Sequence, residues 1–361
     1  MNNEHGANIF DLENILNIDK NNLLDFSSNI NPYGASLKAK EFIKNNIDIV
    51  SLYPDSNYKN LRNAISNYSK TPVENLILGN GATELISSFI KTLNPKTALL
   101  IAPIYSEYEK ELKKINCSIH KLFYNKDQDF ELSCEQIINY LTIYNIELLI
   151  LCNPNNPTGK CFSKKEIEKI LMNYKGHIMI DETYIEFTDM DTYSVSGLEQ
   201  YYDNIFLIRG TSKFFSTPGI RLGYAISSNK TLIKTLNSIP NLWNINIVAD
   251  FMGQIMFEDK EYIEKTQEKI KEDIEFLFYN LKLLKEIKVY KTHSNFILCE
   301  LLVNKSSVND LCEFLLKKNI IIRNLSNFEG LPHNFFRICS LTKENNKFLI
   351  DNIKLYFNTI K

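Results

Sequence analysis

Long apolar runs are missing from this chain of 361 residues. None approaches the roughly 20 residues that a membrane-spanning helix needs, so no membrane partner is expected. Excess charge of either sign is missing too. Forty-one basic against 43 acidic side chains leave a net charge of −2, and no electrostatic reason to expect nucleic acid or an anionic membrane surface. The seven cysteines, at 117, 134, 152, 161, 299, 312 and 339, form no CxxC and stand at no metal-ligand spacing with histidine, which predicts no metal site. The opening MNNEHGANIFDLENIL is polar and acidic rather than a secretory leader, and with the odd cysteine count it predicts a reducing, cytoplasmic setting. No internal repeat, low-complexity tract or Gly/Ser linker is visible.

What is there reads as an ordinary globular composition, 44% hydrophobic and 23% charged, with a length that suits two domains of unequal size. The lysines alternate with Glu and Asp, as in KEDIEFLFYNLKLLKE, the pattern of a solvated helix face. LILG (76–79), TALLIA (97–102), ELLILC (147–152), HIMID (177–181), NIFLIR (204–209) and GYAIS (223–227) are apolar runs of strand length. Amphipathic helical patterns separate several of them, among them Glu84 to Leu93 and EYEKELKKI. Such alternation predicts an α/β fold with a mostly parallel sheet covered by helices on both faces. From about residue 258 a long helical stretch, Glu258 to Lys288, leads into SNFILCEL, a helix near 306–319, IIIRNL and FRICSL, which predicts a small α+β domain. The expected division is a 1–50 segment packing on the small domain or a second subunit, a 51–257 large domain, and a 258–361 small domain.

Four turns carry the chemistry. In GNGATE (79–84), glycines permit close backbone approach, and the helix start beyond, from Gly81 through Ala82 and Thr83, offers free N–H groups to a phosphate. It is equally an ordinary helix start. NPNNPTG (153–159) follows the strand ELLILC; it is made of turn residues but lies at a carboxyl end, where open α/β sheets place ligands. Asp181 ends HIMID, and a carboxylate there needs a cation or donors: a protonated pyridine nitrogen, or a structural cap. Thr211-Ser212-Lys213, with Arg221 beyond, puts a lysine among small hydroxyl residues, where desolvation lowers its pKa and suits it to imine chemistry; a loop lysine is the plain alternative. Four such turns on one sheet are hard to obtain by chance.

Taken in order, these motifs resemble the fold-type I pyridoxal-phosphate (PLP) enzymes, specifically the histidinol-phosphate aminotransferase group, over nearly the whole chain. The resemblance implies an aminotransferase-type fold with a large α/β domain, a small α+β domain and pyridoxal 5′-phosphate as cofactor. It implies that Lys213 forms the Schiff base and acts as general acid/base, and that Asp181 pairs with the pyridinium. Asn156 and Tyr184 would hydrogen-bond the phenolic oxygen, and Tyr105 of APIYSEY would stack on the ring. Gly81, Ala82, Thr83, Ser212 and Arg221 would hold the cofactor phosphate. Tyr53 of the YPD element would reach the phosphate of a neighbouring subunit, which implies a homodimer. Arg337, in FRICS, would grip a substrate carboxylate bidentately. Trp243 and Asn244–Asn246 match a helix-start segment near the site.

Within the group, HGAN (5–8), DFSSNINPYG (25–34) and IIIRNLSNFEGL (320–331) are similar to segments of the L-threonine-O-3-phosphate decarboxylases of cobalamin synthesis, with Ala7, Asn324 and Glu329 as departures. That likeness implies an anion pocket of His5, Asn31 and Arg323 for a small phosphorylated amino-acid substrate, and loss of CO2. Loss of the Cα proton instead, with histidinol phosphate or a related substrate, is the alternative. A PLP-responsive transcriptional regulator would need an extra basic helical N-terminal segment, whereas GNGATE already begins at residue 79.

Overall fold

The computed structural model describes residues 9–10, 13, 19–240 and 242–360. A short strand, β1 (Leu24–Asp25), precedes a seven-stranded sheet: β2 (Leu76–Gly79), β3 (Thr97–Ala102), β4 (Ser118–Phe123), β5 (Leu148–Cys152), β6 (His177–Asp181), β7 (Ile205–Gly210) and β8 (Gly223–Ile226). The order across the sheet is β2-β8-β7-β6-β5-β3-β4. Only β8 runs against its neighbours; all the other pairs are parallel. The expected mostly parallel α/β sheet is therefore present, with β6 at its centre.

Strand alternation explains why these runs are apolar throughout. Leu100, Ile150, Met179 and Phe206 enter one core with the helices Ala82–Leu93 and Glu107–Lys114. Leu99, Leu149, Ile180 and Leu207 enter a second core on the opposite face. Each strand buries both of its faces. The same parity sorts the two acids that close β6. Asp181 falls on the face of Met179. Glu182, one residue on, falls on the other face, where Arg209 donates from Nε and Nη2 to its Oε2 at 2.9 and 2.8 Å. Both are essentially inaccessible to water. Truncating one member of such a pair strands the other charge, so Glu182→Ala is expected to lower stability by about 3–5 kcal/mol, read as a fall in thermal midpoint.

β4 was not legible as a strand. SIHKLF is the sheet edge and largely half-exposed, so it mixes polar and apolar residues instead of forming an apolar run. The long helix expected over 258–288 is divided. Helix Ile247–Glu258 stops at Asp259, helix Lys260–Lys282 follows, and residues 287–289 are a strand, β9 (Ile287–Val289). Asp259 has ψ of 73°, outside the helical range, and its buried carboxylate accepts from Ser36 Oγ and Lys38 Nζ, both at 2.7 Å. Tertiary contacts to the N-terminal segment thus override a helical pattern. At the far end Ile287 pairs with Leu301 instead of continuing the helix.

β9 joins β10 (Phe296–Leu301), and the residues 320–339 supply β11 (Ile320–Ile321), β12 (Arg323–Asn324) and β13 (Phe335–Cys339). β12-β13-β10-β9 form an antiparallel sheet with its own core. β11 pairs in parallel with β1, Leu24 opposite Ile320, so the N-terminal segment is stitched to the C-terminal part. None of the described helices is long and apolar enough to cross a membrane. Among the described residues no cluster of His, Cys, Asp and Glu could hold a metal, and all seven cysteines are unpaired.

Candidate active site

Loops at the carboxyl ends of β2, β3, β5, β6 and β7 converge on a cavity of about 350 Å³, whose lining includes Ala82, Thr83, Tyr105, Asn156, Asp181, Tyr184, Ser212, Lys213 and Arg221. Arg323 and Arg337 complete it from the antiparallel sheet. The cavity is where the topology of an open α/β sheet puts it.

Lys213, in the loop after β7, donates from Nζ to Ser28 O at 2.7 Å. Burial, reinforced by the nearby Arg337 charge, brings its pKa down to about 8. A lysine with that pKa is uncharged often enough near neutral pH to attack a carbonyl. Asp181 is buried, and burial raises its pKa against the pull of its hydrogen bonds. Oδ1 accepts from Thr183 N at 2.9 Å and from Thr183 Oγ1 at 2.5 Å, and Oδ2 accepts from the Tyr108 hydroxyl at 2.7 Å. Every partner is neutral, so a cation brought to this carboxylate meets no competing positive charge.

Two hydrogen-bond donors are turned into the cavity by what holds them behind. Arg337 Nη1 donates to Asn156 Oδ1; since a guanidinium can only donate, the Asn156 amide must present its oxygen to it and its NH2 elsewhere. Asn29 Nδ2 donates to the Tyr184 hydroxyl oxygen at 3.2 Å, leaving the Tyr184 proton for another acceptor. Together they suit an anionic oxygen on a planar ligand. At the other end of the cavity, Gly81 has φ of +83°, and helix Ala82–Leu93 begins with no side-chain cap. A Cβ on Gly81 would overlap the Arg221 guanidinium, so glycine lets that arginine lie against the helix start. Bare N–H groups, Ser212 and Arg221 form a phosphate cradle. Tyr105 meets Tyr108 edge to face, with ring centroids 5.6 Å apart, and burial pushes its phenol up to about 12.

Arg323 and Arg337 face each other across β12 and β13. Like charges directly opposite on one face repel. Burial, then Arg337, brings Arg323 down to about 10, and burial likewise lowers Arg337. Arg337 Nη2 donates to Ser27 O at 2.6 Å, while its buried Nε has no acceptor. Two cations forced together beside a cavity call for anions between them.

Two expected site residues lie elsewhere. Asn31, expected to contact an anion, is not among the residues that line the cavity. Its Nδ2 donates to Phe214 O at 2.9 Å and to Tyr262 OH at 3.2 Å, and its Oδ1 accepts from Tyr33 N at 2.8 Å, so it braces the loop behind Lys213. Tyr53 is 76% exposed, away from this cavity, and stacks on Trp243 with centroids 4.2 Å apart. His5 lies outside the described residues. Of the helix-start segment, Asn246 caps helix Ile247–Glu258 by accepting from Ala249 N at 2.9 Å.

Sequence reasoning missed Tyr108, Thr183, Ser27, Ser28 and Phe328, all of which line the cavity. Tyr108 was legible in principle. It stands three residues after Tyr105 in the same APIYSEY motif, in the first turn of helix Glu107–Lys114. Ser27 and Ser28 sit in the DFSSNINPYG motif, a few residues before Asn31.

A family model described as "Aminotransferase class I and II" matches residues 21–353. The chain belongs to this family. Pyridoxal 5′-phosphate is the cofactor of this aminotransferase-family enzyme, and the donors, the acid, the lysine and the phosphate cradle described above fit it. The enzyme is 38% identical to the "Putative threonine-phosphate decarboxylase" of Caldanaerobacter subterraneus subsp. tengcongensis, over 97% of this chain and 93% of that one. It is 29% identical to the threonine-phosphate decarboxylase of Salmonella typhimurium, over 97% and 95%. The crystal structure of a histidinol-phosphate aminotransferase from Clostridium acetobutylicum superposes with a TM-score of 0.87, at 35% identity, covering 93% of this chain and 100% of that one.

Proposed function

We propose that the enzyme removes CO2 from a phosphorylated hydroxy-amino acid, converting L-threonine O-3-phosphate, or its serine analogue, to the corresponding amino-alcohol phosphate. The observation that carries the reading is the opposed pair Arg323 and Arg337 in the wall of the cavity. A substrate with a carboxylate at one end and a phosphate at the other supplies an anion to each. The 38% identity to a protein named for threonine-phosphate decarboxylation supports the same substrate class.

Asp181 would hold the cofactor's ring nitrogen protonated, and Asn156 and Tyr184 would donate to its phenolic oxygen. The N–H groups of Ala82 and Thr83, with Ser212 and Arg221, would hold its phosphate, and Tyr105 would cover the ring face. When bound, the cofactor supplies an electron sink for the pair released as a bond to the substrate Cα breaks. Arg337 fixes the substrate carboxylate through the unpartnered Nε, and Arg323 takes the phosphate. Pinning both ends sets which bond to Cα stands normal to the ring, and a few kcal/mol of orientation decides between CO2 and proton loss. Lys213 Nζ, which exchanges a proton readily because its pKa is lowered to about 8, would take a proton from the substrate's ammonium group and deliver it to Cα after CO2 leaves. Tyr53, exposed and stacked on Trp243, is available to the cavity of a second copy, which supports a homodimer.

The test is direct. Purified enzyme with threonine phosphate or serine phosphate should release CO2 and the amino-alcohol phosphate with no added keto acid. Turnover of histidinol phosphate that requires 2-oxoglutarate, without CO2, would establish the aminotransferase alternative favoured by the Clostridium acetobutylicum structure.

A further inference from the structure

The segment 325–331 turns between β12 and β13 and roofs the cavity without entering the chemistry above. Phe328 lines the cavity, and the Arg323 guanidinium lies 5.8 Å from the centre of its ring. Arg323 Nη2 also donates to Asn327 Oδ1 at 3.2 Å. The outer side of this segment is fastened to the edge of the other sheet. Glu329 forms an ion pair with Lys121 of β4, and the same ammonium meets Glu109 at 2.7 Å. Gly330, at φ of +89°, sits so close to β4 that a Cβ would come within 2.6 Å of the Phe123 ring. Two successive residues of the roof are thus anchored on one edge strand.

We propose that the Lys121–Glu329 pair clasps the two sheets together over the cavity, and that Glu329 is a positioning residue acting through Arg323. The inference rests on the reading of Arg323 as the ligand for the substrate's phosphate. Arg323 and Arg337 repel across their strands, and Asn327 and Phe328 hold Arg323 against that push. Opening the clasp lets the roof and Arg323 move outward together, while Lys213 and Asp181, on other loops, stay in place. The penalty falls on binding of the phosphate end rather than on the bond-breaking step. Because Glu329 is largely exposed, the clasp is screened by salt and worth a few-fold in affinity.

The cofactor-loaded enzyme is compared with Glu329→Gln, Lys121→Arg and Gly330→Ala. With threonine phosphate, Glu329→Gln should raise KM about three- to five-fold and change kcat less than about two-fold. The KM ratio to wild type should shrink toward one as salt is raised. Lys121→Arg, which keeps the charge, should retain the wild-type KM. Gly330→Ala, if it folds, should resemble Glu329→Gln. Amide hydrogen exchange across 325–331 should quicken in Glu329→Gln. If threonine phosphate is not turned over, the substrate reading fails, and the clasp is judged on the dissociation constant of inorganic phosphate and on exchange. Unchanged exchange across 325–331 with an unchanged KM, or phosphate dissociation constant, overturns the clasp. So does a fall in kcat at constant KM.

Discussion

Lys213→Ala is expected to abolish turnover and the visible absorbance of the bound cofactor together, with kcat falling at least about 10²–10⁴-fold. Among the described residues no other lysine lines the cavity to substitute for it. Lys213→Arg should fare as badly despite keeping the charge, since a guanidinium does not lose its proton. A pH signature accompanies the loss. Burial lowers the Lys213 pKa from 10.5 to about 8, so the folded protein binds that proton less readily than the unfolded chain does. The resulting destabilisation is complete below about pH 8 and fades as pH rises through 8 toward the unfolded value. Cofactor-free Lys213→Met should therefore melt above the wild type near pH 6–7, with the gap closing above about pH 10. A gap independent of pH would mean that burial does not lower the Lys213 pKa.

Asp181→Asn is the second large effect. A buried carboxylate facing a protonated ring nitrogen is a buried ion pair, and removing one partner costs about 3–5 kcal/mol, or roughly 10²–10⁴-fold in kcat/KM. Tyr108 and Thr183 hold both Asp181 oxygens, so Asp181→Glu should displace them and lose activity as well, though less. The readouts are kcat/KM with threonine phosphate and the dissociation constant of the cofactor. An Asp181→Asn enzyme within ten-fold of the wild type on both would take the carboxylate out of the account.

The centre of the sheet was legible because its chemistry and its packing follow one periodicity. Each of β5, β6 and β7 is an apolar run buried on both faces, and each ends in a polar residue or turn at the cavity. Asp181, Asn156 and Lys213 could therefore be picked from the order of strands and turns. What could not be read depended on contacts distant in sequence. β4 is half-exposed and carries no apolar run, yet it supplies Lys121 and Phe123 to the roof. The break at Asp259 depends on Ser36 and Lys38, more than 200 residues away. Asn31 and Ser28 share one motif, but only the path of the chain past Lys213 decides that the Ser28 carbonyl meets the ammonium while the Asn31 amide turns to Phe214. The Arg323–Arg337 confrontation likewise exists only through strand register.

The most direct test is to treat the cofactor-loaded enzyme with borohydride, digest it and locate the modified peptide by mass spectrometry. The added mass of the reduced cofactor should fall on Lys213 alone. Its recovery on another lysine, or an unmodified Lys213 in enzyme that remains active until treated, would contradict the placement of the reacting amine in the loop after β7.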